Sequence, residues 1–108
     1  MYAGMPCRPA PTETMEPVGA GLQGMPAYLY GTYWMGYALV AVDEEAWKAG
    51  AEVLARAPLG TSIPSGGVDA KVRDLGTRAK TIADWPTRAT LWSELLVECS
   101  VCHANLPH

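Results

Sequence analysis

The feature that most constrains the fold is a helical spacing of apolar residues, which recurs in four separate segments of the 108-residue chain. The clearest segment runs through Val68, Val72, Leu75, Ala79 and Ile82, at steps of four and three residues. This spacing places all five side chains on one face of a helix. Because no alternating apolar and polar pattern of useful length competes with it, the sequence predicts an all-α fold.

Capping signals indicate two further helices. Asp43 precedes a segment with two glutamates in its first turn, and Pro58 marks the end of that helix. Asp84 precedes a last helix that has Trp85 and Pro86 in its first turn. The residues predicted to face inward from these two helices are Trp47, Ala51, Leu54, Leu91, Trp92, Leu95, Leu96, Cys99, Cys102 and His103.

The remaining helix is predicted to begin near Met25, and its expected inner stripe comprises Tyr28, Leu29, Thr32, Met35, Gly36 and Leu39. Residues 1–24 hold four prolines and four glycines without a hydrophobic period, which predicts an irregular N-terminal arm. Short links between the first and second helices, and between the third and fourth, favour antiparallel hairpins. Residues 25–108 are therefore predicted to form an antiparallel four-helix bundle.

Charge and length exclude several classes of function. The net charge is −3 and the pI is near 5.2, so the chain lacks the basic surface that binds nucleic acid or anionic lipid. The most apolar stretch, Ala27–Val42, is 16 residues long and is interrupted by two glycines, so no membrane span is expected. Neither a phosphate-binding loop nor a nucleophile elbow is present, so we expect no enzymatic activity.

A short motif near the C-terminus carries the chemistry. Cys99-Ser-Val-Cys102-His103 has the C-x-x-C-H spacing of c-type haem attachment, in which two thiols bond to the haem vinyl groups and the imidazole binds iron. On a helix, Cys102 and His103 follow Cys99 by three and four residues, so all three project from the same side. The motif predicts one covalent haem c, with His103 as the proximal iron ligand.

Two other chemistries fit a cysteine pair. A structural zinc site needs a fourth ligand, for which only His108 and Cys7 remain among the histidines and cysteines. A redox-active dithiol is typical of a helix N-terminus, where the dipole lowers the thiol pKa, whereas this pair lies near the C-terminus of its predicted helix. Either alternative would make the chain a zinc-binding or dithiol interaction module.

A single haem motif on the last of four helices resembles the class II c-type cytochromes, the cytochrome c-prime and c-556 group. The resemblance spans roughly residues 25–106, and it is strongest in LWSELLVECSVCHANL and weaker in GMPAYLYGTYWMGYALV. It implies electron transfer with redox partner proteins and a homodimer through the first two helices. It also implies a periplasmic location, although MYAGMPCRPAPTETMEPVG has no signal-peptide pattern.

The resemblance also implies a second iron ligand. Low-spin members use a methionine near the start of the first helix, and Met25, seventeen residues before Val42 at the inter-helix turn, matches that spacing. A thioether ligand stabilises ferrous iron, which suits electron transfer. The alternatives are Met35, Tyr28, His108, a methionine of the N-terminal arm or an open position. An open position would make the chain a nitric oxide or carbon monoxide binder.

The chain departs from the family around its motif. Many class II members have basic residues between the cysteines and shortly after the histidine, but the corresponding residues here are uncharged. The candidates to pair with the haem propionates are Arg73, Arg78 and Arg88. Cys7 has no apolar run before it that would favour lipidation, and an intermolecular disulfide is one possible use of its thiol.

Overall fold

A computed structural model describes residues 22–57 and 67–104, which form four α-helices and no strand. The helices are α1 (Gly24–Ala41), α2 (Glu44–Arg56), α3 (Val68–Ala79) and α4 (Trp85–Ala104). Each helix packs on its neighbours in chain order, and α4 packs on α1. The predicted all-α four-helix bundle is therefore confirmed. Most of the predicted arm, Cys7, Pro58 and His108 lie outside the described residues.

The core fills the space between the helices. Its largest fully buried side chains are Trp47, Met35, Leu54, Leu95 and Val72, to which all four helices contribute. The Trp47 Nε1–H donates to the Ala79 carbonyl at 3.0 Å, so the buried indole keeps a hydrogen bond while it joins α2 to α3. None of the four described helices combines the length and apolar character that a membrane crossing requires.

Local chemistry sets the ends of the helices as predicted. The Asp43 carboxylate accepts from the Ala46 N–H at 3.1 Å and caps α2, and Asp84 accepts from the Thr87 N–H at 2.9 Å and caps α4. Between α1 and α2 the chain reverses at Val42, whose φ of 53° is left-handed. A β-branched residue rarely adopts this conformation, so the tight turn contains backbone strain.

Small residues allow α2 to approach its neighbours closely. A Cβ atom on Gly50 would lie 2.7 Å from the Gly31 carbonyl oxygen, so α1 and α2 meet backbone to backbone at this pair. On the other side of α2, a Cβ atom on Gly76 would lie 2.7 Å from the Ala55 nitrogen. These glycines weaken the isolated helices but permit contacts that a methyl group would prevent.

An ionic cluster joins α4 to α2 in the first turn of α4, at the far end of that helix from the cysteine motif. The Arg88 guanidinium is buried, makes two bonds of 2.7 and 2.8 Å to the Glu44 carboxylate, and donates through Nε to the Ile82 carbonyl at 2.8 Å. Its charge also lies 4.4 Å from the Trp85 ring centroid and 5.4 Å from that of Trp47.

Two predictions about helix faces were wrong. Leu29 was expected on the inner stripe of α1 but is 72% exposed, whereas Tyr28 and Met35 are buried as expected. The other buried residues of this helix are Gly24, Ala27, Gly31 and Ala38. The physical reason is that α1 has no charged residue and is apolar on all sides, so its hydrophobic period does not select one face. Ile82, expected to extend the α3 stripe, lies beyond the end of that helix but still packs against the core.

Candidate functional site: an apolar cleft beside the cysteine motif

A cleft of about 480 Å³ opens between the N-terminal half of α1 and the C-terminal half of α4, with α3 as its third wall. Its size lies within the range of about 300–1,000 Å³ that is usual for ligand and cofactor sites. The residues that line it are Met25, Pro26, Tyr28, Leu29, Thr32, Val68, Val72, Leu96, Cys99, Cys102 and His103. No Asp, Glu, Lys or Arg is among them, so the walls are almost wholly apolar.

The last two turns of α4 supply the motif. Cys99, Cys102 and His103 all line the cleft, as their spacing on a helix predicts. The two cysteines are half-buried free thiols. His103 is exposed and is the second-last residue of α4. Leu96, one turn earlier, extends the same face as an apolar floor.

The opposite wall begins with Met25. This residue is half-buried in the first turn of α1 and lines the same cleft as the motif, although the two are far apart in sequence. Met35, the competing candidate ligand, is fully buried in the core and does not line the cleft. Its Cγ atom packs on α2, 2.7 Å from where a Cβ atom on Gly50 would lie. The fold therefore brings Met25 and the motif together and keeps Met35 apart from them.

The cleft closes where α1 and α4 converge. The Trp92 ring lies against Gly36, and its Nε1–H donates to the Thr32 carbonyl at 3.0 Å. Thr32 itself lines the cleft, so this contact forms the end wall. The α3 residues Val68 and Val72 were predicted only as core, and the α3 periodicity alone could not indicate that they also face this space.

The electrostatics of Cys99 disfavour a reactive dithiol. Burial raises the pKa of the Cys99 thiol above its usual value, and the neighbouring Cys102 and Glu98 act in the same direction. A raised pKa keeps the proton on sulfur at neutral pH, whereas dithiol redox catalysts depend on a lowered pKa. The surroundings thus favour a neutral thiol that acts as an attachment or packing group.

A zinc site finds little support in the described residues. Within residues 22–57 and 67–104, no three His, Cys, Asp or Glu side chains come together as metal ligands. The two further zinc ligands considered from the sequence, Cys7 and His108, both lie outside this part of the chain.

Tyr28 is the exceptional polar residue of the cleft. The residue is 4% exposed, and its hydroxyl has no hydrogen-bond partner among the described residues. Burial raises the pKa of the phenol, while the positive charge of Arg73 opposes that rise. The hydroxyl oxygen is closed off from solvent, and the charges that act on it are those of Arg73 and Asp69 on α3, neither of which lines the cleft.

The three arginines considered as propionate partners are all engaged elsewhere. The Arg73 guanidinium donates to the carbonyls of Ala55 and Ala57 at the end of α2. Arg78 forms an ion pair with Asp74 at 3.4 Å and a second with Glu94 at 3.6 Å. Arg88 pairs with Glu44, and none of the three lines the cleft.

Comparison of the chain with protein-family models, curated proteins and solved structures found no match.

Proposed function

We propose that this protein is a mono-haem c-type cytochrome of class II type that transfers electrons. The observation that carries the proposal is the convergence of Met25, Cys99, Cys102 and His103 on one apolar cleft of suitable size.

Each residue of the site has a separate role in this proposal. Cys99 and Cys102 hold the haem through thioether bonds, in which sulfur bonds to one vinyl carbon and the thiol hydrogen moves to the other, so that no oxidant is consumed. The His103 imidazole is the proximal iron ligand, and the Met25 thioether is the distal one. When bound, the haem supplies a one-electron redox centre.

The walls of the cleft serve the same function. Leu29, Val68, Val72 and Leu96 exclude water and lower the local dielectric around the cofactor. A low dielectric disfavours the ferric state, which carries one more positive charge than the ferrous state, and a soft thioether ligand favours ferrous iron. Both effects raise the reduction potential, which suits an electron carrier.

Covalent attachment is the first test. The chain is expressed with and without the bacterial machinery that attaches haem, and its intact mass is measured after denaturation. We expect a mass increase equal to one haem, which Cys99→Ala with Cys102→Ala removes and which Cys7→Ser leaves unchanged. A chain that carries no covalent haem under these conditions would refute the proposal.

The distal ligand is tested by a matched pair of methionine variants. In the reduced protein, we expect a six-coordinate visible spectrum that does not convert at once on addition of carbon monoxide. Met25→Leu should lose this spectrum and bind carbon monoxide rapidly, whereas Met35→Leu should retain it. Immediate conversion of the wild-type protein would instead favour a five-coordinate gas-binding protein.

The proposal extends to location and partners. Covalent haem attachment in bacteria takes place outside the cytoplasmic membrane, so we place the protein in the periplasm with redox proteins as partners. The uncharged outer face of α1 is suited to a homodimer, because Tyr33 and Val40 are 65% and 81% exposed. Sedimentation of the wild type and of Val40→Glu tests this, and we expect the substitution to shift a dimer to a monomer.

A further inference from the structure

The side chain of Trp92 joins α4 to α1 at the closed end of the cleft. Its ring lies against Gly36, where an added Cβ atom would lie 2.7 Å from the indole Cζ2 atom and 3.3 Å from Cε2. Its Nε1–H donates to the Thr32 carbonyl at 3.0 Å. That carbonyl points along α1 towards Gly36, four residues later, so both contacts lie at one level of the helix. The close fit limits how near the helices approach, and the directional hydrogen bond limits how far they slide along each other.

The residues that line the cleft are arranged symmetrically about this contact. Those of α1 precede Gly36 in the chain and those of α4 follow Trp92, so the two helices run antiparallel away from the contact. Because both helices rise by about 1.5 Å per residue, residues equally far from Gly36 and from Trp92 lie at about the same level. Four pairs of lining residues meet this condition, namely Thr32 and Leu96 at four residues, Leu29 and Cys99 at seven, Pro26 and Cys102 at ten, and Met25 and His103 at eleven.

Met25 and His103 also share the helix faces that make the contact. Eleven residues are close to three turns of an α-helix, so each of the two side chains projects from the same side of its helix as Gly36 or Trp92. Each residue lies about 16 Å along its helix from the contact, at a rise of about 1.5 Å per residue. The two proposed iron ligands are therefore level with each other on facing walls of the cleft.

We propose that Trp92 is a positioning residue, which holds α1 and α4 in the register that places Met25 level with His103. This inference rests on the proposed function. Metal–ligand distances in proteins vary by only about 0.2 Å for a given ligand. A small shift of α1 against α4 therefore separates the Met25 thioether from iron, while the thioether bonds and the imidazole of α4 keep the haem on that helix. Trp92 acts only through the position of α1.

The test combines two single variants and their double variant in the haem-loaded protein. Gly36→Ala places a methyl group 2.7 Å from the indole, against ordinary contacts that begin at 3.4 Å, so ring and helix must separate by about 0.7 Å. Trp92→Phe leaves part of that space empty and removes the hydrogen bond to Thr32. We expect each single variant to weaken Met25 ligation, so that the reduced protein binds carbon monoxide at least about tenfold faster than the wild type.

The double variant distinguishes positioning from general damage. The added methyl group fills part of the space that the smaller ring leaves, so Gly36→Ala with Trp92→Phe should bind carbon monoxide at a rate closer to the wild type than either single variant does. A double variant that binds carbon monoxide faster than both single variants would overturn the inference, because the two residues would then not act through one contact.

Gly76→Ala is the matched control. A Cβ atom at Gly76 would lie 2.7 Å from the Ala55 nitrogen, which is the same overlap as at Gly36, but this one lies between α2 and α3, and Gly76 does not line the cleft. We expect Gly76→Ala to leave the rate of carbon monoxide binding unchanged. A rate raised as much as in Gly36→Ala would overturn the inference, because overpacking anywhere in the bundle would then release the ligand.

A second measurement does not need the haem and remains decisive if Gly36→Ala loads haem poorly. In the full chain expressed without the attachment machinery, urea unfolding of the same three variants measures the coupling between the two sites. We expect the double variant to lose less stability than the sum of the single variants. Additive losses would show that Gly36 and Trp92 do not share one contact, and would overturn the inference.

The outcomes separate this inference from the proposed function. A wild-type chain that carries no haem refutes both together. A wild-type chain that carries haem but binds carbon monoxide at once refutes the Met25 ligand and, with it, the role of Trp92. A wild-type chain that carries haem and binds carbon monoxide slowly, beside Gly36→Ala and Trp92→Phe variants with the same rate, refutes only the role of Trp92.

Discussion

The contact between Gly31 and Gly50 leads to a sharp stability prediction. At Gly50, an added methyl group favours the helix through its propensity but clashes with the neighbouring helix. A Cβ atom at Gly50 would lie 2.7 Å from the Gly31 oxygen and 2.7 Å from Met35 Cγ, against ordinary contact distances that begin at 3.4 Å. To restore normal contact, α1 and α2 must separate by about 0.7 Å, the difference between these two distances. Separation at this point disturbs the packing of Met35, which is fully buried.

The magnitude follows from the two terms. Overpacking a core costs about 1–3 kcal/mol, while replacing a helical glycine by alanine contributes about 1 kcal/mol through helix propensity. We therefore expect Gly50→Ala to lower the free energy of unfolding by about 1 kcal/mol, within a range of about 0 to 2. Without the close contact, the same substitution would raise the free energy of unfolding by about 1 kcal/mol.

Urea unfolding followed by far-ultraviolet circular dichroism measures this difference. Ala89→Gly, at an exposed position of α4, calibrates the propensity term in the same protein and should cost about 1 kcal/mol. Gly31→Ala with Gly50→Ala should cost less than the sum of the single variants, because one separation of the helices relieves both overlaps. A Gly50→Ala protein that is more stable than the wild type would refute the close-contact argument.

Three further predictions concern the turns and the ionic cluster. Val42→Gly should stabilise the protein by about 1 kcal/mol, because it relieves the left-handed strain at φ 53°. Val40→Gly, within α1, should destabilise the protein by a similar amount, and thermal unfolding measures both changes. Arg88→Met should lower the free energy of unfolding in urea by about 2–4 kcal/mol, because the buried guanidinium contacts Glu44, Ile82 and two tryptophan rings. A loss below about 0.5 kcal/mol would contradict this account. Hydrogen bonding to Arg88 lowers the pKa of Glu44 below its ordinary 4.5, so its contribution to stability is complete above pH 4.5 and declines as the pH falls through the lowered value. Glu44→Gln should therefore make the free energy of unfolding less dependent on pH below 4.5. The control Glu45→Gln should keep a steeper dependence on pH than Glu44→Gln in this range.

Some of the site could be predicted because its chemistry is local. The C-x-x-C-H spacing fixes three side chains within about one turn of α4, whatever the rest of the chain does. Asp43 and Asp84 act on backbone N–H groups three residues away, so their capping roles could also be predicted from neighbours in sequence. The haem itself stays a prediction from this motif.

Other parts of the site depend on packing between distant segments. Met25 and Met35 lie on the same helix and have similar surroundings in sequence, yet only Met25 lines the cleft. Leu29 was assigned to the core because α1 is apolar on every side, and the contact of Gly31 with Gly50 decides which side turns inward. Arg73 donates to the Ala55 carbonyl of α2 and Arg88 pairs with Glu44 of α2, and no pattern within α3 or α4 indicates these contacts.

The sequence by itself determined that this chain is helical, where α2 and α4 are capped, and that two thiols and an imidazole share one side of the last helix. These properties depend on backbone hydrogen bonds and on side chains within about a turn of one another. Only the tertiary structure decided that Met25 and two α3 valines line the same cleft as this motif, and that the Tyr28 hydroxyl is buried without a partner among the described residues. Those outcomes depend on how closely whole helices approach, which is set by steric contacts between residues far apart in the chain.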